Sequence, residues 1–174
     1  MRKLYYSLYL ILSFCSLLIK IFKRDSKRLL ILDIDNTLTY TWEYWHSISM
    51  NEGYYLELPL RKGTVKFVET YDNEYRIFLT ARPFENHSIS KQYLIRHNLF
   101  SASNSSLICM SPRFKVLLIR VLAFFRYEIA YIDDLSYNHE NGAVKFYSAE
   151  IEIIKKMNID YFGYHFIDLI NDVS

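Results

Sequence analysis

One stretch constrains this chain more than any other: Leu29-Leu30-Ile31-Leu32-Asp33-Ile34-Asp35-Asn36-Thr37-Leu38. Four apolar residues run straight into two carboxylates one residue apart. A short apolar run flanked by Lys27-Arg28 and by polar residues reads as a strand, about 29–34, buried on both faces. Asp33 then stands at the strand's carboxyl end, which in an open α/β sheet faces the ligand crevice. Asp35 follows where the chain leaves the sheet, so both carboxylates can point at one volume. Two close carboxylates repel unless a proton or a cation separates them. Mg²⁺, a hard ion that takes oxygen ligands, answers that need. Taken alone, the stretch also reads as a strand ending in an Asx-type turn.

Three further stretches repeat the pattern. Tyr75-Arg76-Ile77-Phe78-Leu79-Thr80-Ala81-Arg82 is a second apolar strand, about 75–80, ending in a hydroxyl. Lys115 opens a helical stretch. Glu128-Ile129-Ala130-Tyr131-Ile132-Asp133-Asp134 is another buried strand, about 128–132, ending in two more carboxylates. The order Asp-x-Asp-x-Thr, Thr, Lys, Asp-Asp resembles the four motifs of the haloacid dehalogenase (HAD) superfamily of phosphohydrolases. The resemblance covers roughly residues 28–140. Each motif is weak by itself, and the four in this order and context are specific.

The resemblance implies roles. Asp33 is the nucleophile that forms an aspartyl-phosphate. Asp35 protonates the leaving oxygen and then takes a proton from water. Thr80, with backbone groups around Asn36, Ala81 and Arg82, holds phosphoryl oxygens, and Lys115 neutralises developing charge. Mg²⁺ is implied as cofactor, held by Asp33, Asp35 (through its backbone carbonyl), Asp133 and Asp134. By spacing, Lys115 competes with nearby Arg113. Arg82 is expected either on a substrate anion or paired with Glu85.

The alternation of strands and helices predicts an α/β fold, a doubly wound and mostly parallel sheet of HAD-like Rossmannoid type. Helices are expected over 59–71, 85–97 and 112–127, with a short strand over 107–110. Beyond 132 the expectation is a polar loop over 136–142, a strand within 143–147, a helix over 149–157, and a last strand or irregular tail over 160–168. The segment from Thr39 to Leu58 holds Tyr40, Trp42, Tyr44, Trp45, Tyr54 and Tyr55, with His46 among them. The resemblance makes it a short β-hairpin flap, here an aromatic one. About 20 residues separate Thr37 from the next helix and 34 separate Thr80 from Lys115, too few for a separate cap domain. An open site favours a large or extended substrate, unless an oligomeric partner closes it.

Residues 1–28 stand apart from a domain expected over 29–174. They carry seven Lys/Arg and one acid, a charge of +6, against −4 for the remainder. The acidic body argues against a nucleic-acid surface. Leu4 to Ile19 is uncharged, and counted to Phe22 the run approaches the length that spans a bilayer. A membrane anchor through residues 4–22 and a helix packed on the domain are both compatible with it. The excess of basic residues after the run places the body on the cytoplasmic side of such an anchor. Cys15 and Cys109 lie in apolar runs without metal-ligand spacing, so no disulfide framework is expected.

The leading expectation is therefore an Mg²⁺-dependent phosphomonoesterase acting on a large or membrane-associated substrate. The alternatives are a nucleotidase or phosphotransferase of the same fold, and a non-catalytic, membrane-tethered interaction domain.

Overall fold

The computed structural model describes residues 2–44, 53–71, 74–137, 139 and 143–172. In chain order its elements are α1 (Arg2–Phe22), β1 (Arg28–Leu32), α2 (Tyr54–Glu57), α3 (Lys62–Glu69), β2 (Tyr75–Thr80), a 3₁₀ turn (Phe84–Asn86) and α4 (His87–Arg96). Then come β3 (Ser105–Cys109), α5 (Pro112–Phe124), β4 (Glu128–Ile132), β5 (Ser136–Tyr137), β6 (Lys145–Phe146), α6 (Ser148–Lys155), β7 (Asp160–Phe162) and α7 (Tyr164–Asp172).

Five strands form one parallel sheet in the order β3-β2-β1-β4-β7. From the central β1 the chain winds outward through β2 to β3. It then crosses back to lay β4 on the other side of β1. That reversal opens a crevice between the carboxyl ends of β1 and β4. The register sets Leu32 beside Ile132, and the Asp33 N–H donates to the Ile132 carbonyl at 2.9 Å.

The apolar runs predict these strands because each buries both faces. Leu29 and Ile31 of β1 point into one core with α1, α5 and α6, whereas Leu30 and Leu32 point into a second with α2, α3, α4 and α7. Ile77 and Leu79 against Phe78, and Ile129 and Tyr131 against Ala130 and Ile132, alternate in the same way. Each large aliphatic side chain so buried contributes about 1.5–3 kcal/mol.

Several boundaries differ from expectation for local reasons. The helix expected from residue 59 starts at Lys62, because Pro59 and Arg61 are held by the β1 turn: Tyr40 N–H donates to Pro59 O and Arg61 N–H to Leu38 O. Part of the expected loop over 136–142 is β5, paired antiparallel with β6. The tail is a strand that ends at Phe162, followed after Gly163 by α7. α7 docks on α3, where Asn171 Oδ1 accepts the N–H groups of Gly63 and Thr64 at 2.9 and 3.3 Å. A Cβ on Gly63 would lie 2.0 Å from the Ile170 carbonyl oxygen, so this contact requires glycine. In the segment expected as a hairpin flap, residues 41–44 form a turn and 54–57 the helix α2. Trp45 and His46 lie outside the described residues.

α1 is packed on the domain. Leu17 and Ile21 are fully buried in the first core. β3 is one edge of the sheet, and α1 satisfies part of it: Cys109 N–H donates to the Tyr9 hydroxyl at 2.8 Å, and Lys20 Nζ donates to the Ser105 carbonyl at 3.2 Å. Covering an edge in this way removes a template for strand pairing.

Candidate active site

The β1 turn begins with Asp33 at the strand's end. Asn36 adopts φ +56°, a conformation that Asn tolerates better than most residues. The reversal closes through Leu38 N–H and Thr39 N–H, both donating to Ile34 O. It sends Asp33 and Asp35 toward the same crevice but to different partners.

Asp33 belongs to a buried cluster. Carboxylate oxygens of Asp33, Asp133 and Asp134 lie within 4.8 Å of one another. Lys115 Nζ, delivered by the first turn of α5, sits 2.7 Å from Asp133 Oδ2 and 2.9 Å from Asp33 Oδ1. The approach to Asp133 is a hydrogen bond. The approach to Asp33 Oδ1 is an ion-pair contact, and that buried oxygen has no other polar partner among the described residues. Arg113, the competitor of Lys115, is exposed and faces Glu150 at 3.8 Å.

Asp133 is held rigidly. The Tyr131 hydroxyl donates to Oδ2 at 2.5 Å, and the Leu135 N–H donates to Oδ1 at 2.8 Å. Asp134 and Thr37 bond reciprocally: the hydroxyl donates to Oδ1 at 3.1 Å, and the Asp134 N–H donates to the hydroxyl oxygen at 3.2 Å. Ser136 Oγ donates to the other Asp134 oxygen.

Asp35 turns the other way. Arg82 grips it with two parallel hydrogen bonds, Nη2 to Oδ1 at 2.7 Å and Nε to Oδ2 at 2.8 Å. Thr41 donates to Oδ1 at 2.7 Å, and Thr80 to Oδ2 at 3.4 Å. Arg82 is fixed in turn by Ser90 Oγ at 3.1 Å and by the Tyr55 ring, 4.1 Å from its guanidinium carbon. Glu85, the other expected partner of Arg82, pairs with Arg2. The Asp35 carboxylate therefore lies apart from the three-carboxylate cluster, and Arg82 spends its charge on Asp35.

Electrostatics follow from this sorting. Burial pushes the Asp33 carboxyl well up; Lys115 opposes that, and Asp133 and Asp134 add to it. Burial, then repulsion from Asp133, pushes Asp134 up to about 7. Burial also favours the neutral form of Asp35, but the Arg82 charge and hydrogen bonds outweigh it and hold that carboxyl below the usual range. Burial disfavours the Lys115 cation, and Asp133 and Asp33 more than compensate, so it stays charged.

The cluster fits a divalent cation. Three carboxylates face one ammonium, so with the carboxylates ionised the net charge is negative, and the donors are all hard oxygens. Asp33 contributes one carboxylate oxygen to this donor set. A cavity of about 300 Å³ opens above it, rimmed by Trp42, Tyr55, Tyr137 and Tyr147.

Sequence reasoning did not assign Tyr131, Thr41, Ser136 or His139. Tyr131 was signalled by strand alternation, which puts it on the same face as Asp133. Thr37 counted in the first motif without a role, and here it pins Asp134. His139, whose ring stacks on Trp42 at 5.4 Å, lies near Ser136 and Asn36, and no local pattern marks it.

No family model matches the chain, and no curated protein matches it in sequence. Among solved structures it is similar to the class C acid phosphatase of Bacillus anthracis, crystallised with tungstate bound. The identity is 17% and the TM-score 0.42, over 77% of this chain and 62% of that one. The chain thus spans under two thirds of that protein's length. The functional reading rests on the site's own geometry.

Proposed function

We propose that the chain is a phosphomonoesterase that works through an aspartyl-phosphate on Asp33. The observation that carries this reading is the buried Asp33 carboxylate at the switch point of a doubly wound sheet, contacted by Lys115 at 2.9 Å and by no backbone or hydroxyl donor among the described residues. In-line attack needs a carboxylate oxygen whose lone pair no donor occupies.

An Asp33 oxygen forms a bond to phosphorus as the bond to the leaving oxygen breaks. Lys115, fixed between Asp33 and Asp133, offsets charge on the phosphoryl oxygens without reorganising. Mg²⁺ would be held by the carboxylates of Asp33, Asp133 and Asp134, and would supply charge neutralisation between nucleophile and phosphate. Water then attacks the acyl-phosphate phosphorus, gives up a proton, and releases phosphate and free Asp33.

The Arg82 clamp gives Asp35 an asymmetric part. Held deprotonated, it is ready to accept the proton from water in the second step. Donating a proton in the first step is harder, which favours substrates whose leaving oxygen departs as a weakly basic anion. Between β1 and α3 the described residues form only a turn and α2, and between β2 and α5 only α4 and β3 with their connections. Among the described residues nothing larger than these elements covers the aromatic-rimmed cleft, which suits a large or extended phosphomonoester.

The test is hydrolysis of an aryl phosphate by the full chain, with Mg²⁺ or with EDTA, beside Asp33→Asn. Turnover that requires Mg²⁺ and disappears in Asp33→Asn supports the reading. A folded protein whose Asp33→Asn variant keeps full turnover would sink it.

A further inference from the structure

We infer that the exposed faces of α1 and α5 together dock on the surface of an anionic lipid bilayer, with α1 lying in the plane of the interface rather than crossing it. The inference is independent of the phosphatase reading.

α1 has two unlike faces. One carries Tyr9, Leu10, Phe14, Leu17 and Ile21 into the domain. The other exposes Leu4, Leu8, Ile11, Leu12, Ile19 and Phe22, each more than half accessible to solvent. The spacing of these residues is that of one helical stripe. The stripe holds no charge from Leu4 to Phe22, and Lys20 lies on the domain side, bonded to the Ser105 carbonyl. α5 repeats the arrangement: Val116, Leu118, Ile119 and Leu122 are buried, and Phe114, Leu117 and Phe124 are exposed, Phe124 at 81%. The two exposed stripes meet where Phe22 and Phe125 pack edge to face, 5.8 Å between centroids.

Exposed apolar stripes on two helices that meet at a ring contact mark an interaction surface. Charge decides which partner. Neither helix contains an Asp or Glu, while together they hold Arg2, Lys3, Lys20, Arg113, Lys115 and Arg120. Lys3, Lys23 and Arg120 are exposed beside the apolar stripes. Arg2 and Arg113 already face Glu85 and Glu150. An apolar stripe with a basic border matches the acyl boundary and the anionic headgroups of a membrane surface. Crossing the bilayer would instead strip Leu17 and Ile21 from the core and expose the β3 edge that Tyr9 and Lys20 cover. The face ends near the cleft: Pro112 opens α5 and lines the site, and Tyr6 of α1 shares a groove with Ala81 and Arg82.

The full chain is mixed with phosphatidylcholine vesicles and with vesicles that also contain phosphatidylserine, at low and high salt, and sedimented. Binding is expected to the anionic vesicles only, and to fall with salt. Leu117→Ser with Phe124→Ser, and separately Arg120→Glu, should each weaken it roughly tenfold or more; circular dichroism checks that these exposed substitutions leave the fold intact. Equal, salt-insensitive retention by neutral vesicles that ignores the α5 variants means a spanning α1 and overturns the inference. So does failure to bind either vesicle, including the case in which light scattering shows a dimer that hides the same face.

Discussion

Arg82 donates two parallel hydrogen bonds to Asp35, at 2.7 and 2.8 Å, across 47 residues of sequence. The Arg82 side chain is almost wholly buried, so the pair is hard to separate from the fold. Arg82→Met leaves Asp35 without its counter-charge. Breaking a buried pair from one side costs about 3 kcal/mol, which is expected as a lower midpoint in urea with an unchanged slope. Asp35 then loses the interaction that lowers its pKa. In the parent, that interaction favours the ionised carboxylate above its unfolded-state value. In the variant, the carbon-13 signal of the Asp35 carboxyl should titrate at a higher pH than in the parent.

The second prediction concerns the metal cluster and needs no turnover. Mg²⁺ that binds the folded chain but not the unfolded one raises stability by RT ln(1 + [Mg²⁺]/Kd), about 2.7 kcal/mol at a hundredfold excess over Kd. A thermal shift titration with the parent chain should therefore climb with Mg²⁺. In Asp134→Asn, where Thr37 and Ser136 still offer hydrogen bonds to the amide, most of that climb should vanish while the metal-free protein remains folded.

A third outcome follows from α1 being part of the core. Leu17 is fully buried among residues of the first core, so Leu17→Ala removes buried methyl groups and leaves a cavity. The expected loss is about 2–5 kcal/mol by chemical denaturation. The neighbouring exposed Leu12→Ala should stay within about 0.5 kcal/mol in the absence of membranes. Equal effects at both positions would mean that α1 does not pack as described.

Alkaline pH probes the aromatic interior. Burial raises the phenols of Tyr9, Tyr93, Tyr131 and Tyr161 and pushes Tyr54 up to about 12. Burial likewise pushes the Cys109 thiol up to about 11. The sign is set by proton count: above the ordinary values of 10.0 and 9.0 the unfolded chain releases these protons while the folded chain keeps them. This contribution is fully present below the unfolded values and is lost as pH rises through the folded ones. Absorbance of ionised phenol should rise together with loss of the far-ultraviolet dichroism, in a cooperative step. Ionisation of all 16 phenols in one smooth titration near pH 10 with the fold intact would contradict it.

Much of the molecule is legible locally. Apolar runs place β1, β2 and β4 because a strand buried on both faces is apolar at nearly every position, and polar ends locate where each leaves the sheet. That logic puts Asp33, Thr80 and Asp133 at carboxyl ends without reference to any long-range contact. Shorter elements escape it. β5 and β6 are two residues each, and their pairing depends on each other rather than on their own composition. α7 follows Gly163 within a stretch whose aromatic content reads equally well as strand.

The sequence by itself determined which residues stand at the strand ends and in the turns beyond them, because these are local properties of hydrophobic pattern and backbone preference. Only the tertiary structure decided what each one meets there. Lys115 rather than Arg113 reaches the carboxylates, since α5 buries one face and exposes the other. Arg82 takes Asp35 and leaves Glu85 to Arg2. Residues 4–22 form one helix by composition, but whether its apolar surface meets a core or a solvent is a question of area left uncovered by the rest of the fold. Leu17 and Ile21 found the domain, whereas Leu8 and Ile11 did not. Partner choice depends on distances between segments far apart in the chain, and the parallel register of the sheet sets those distances.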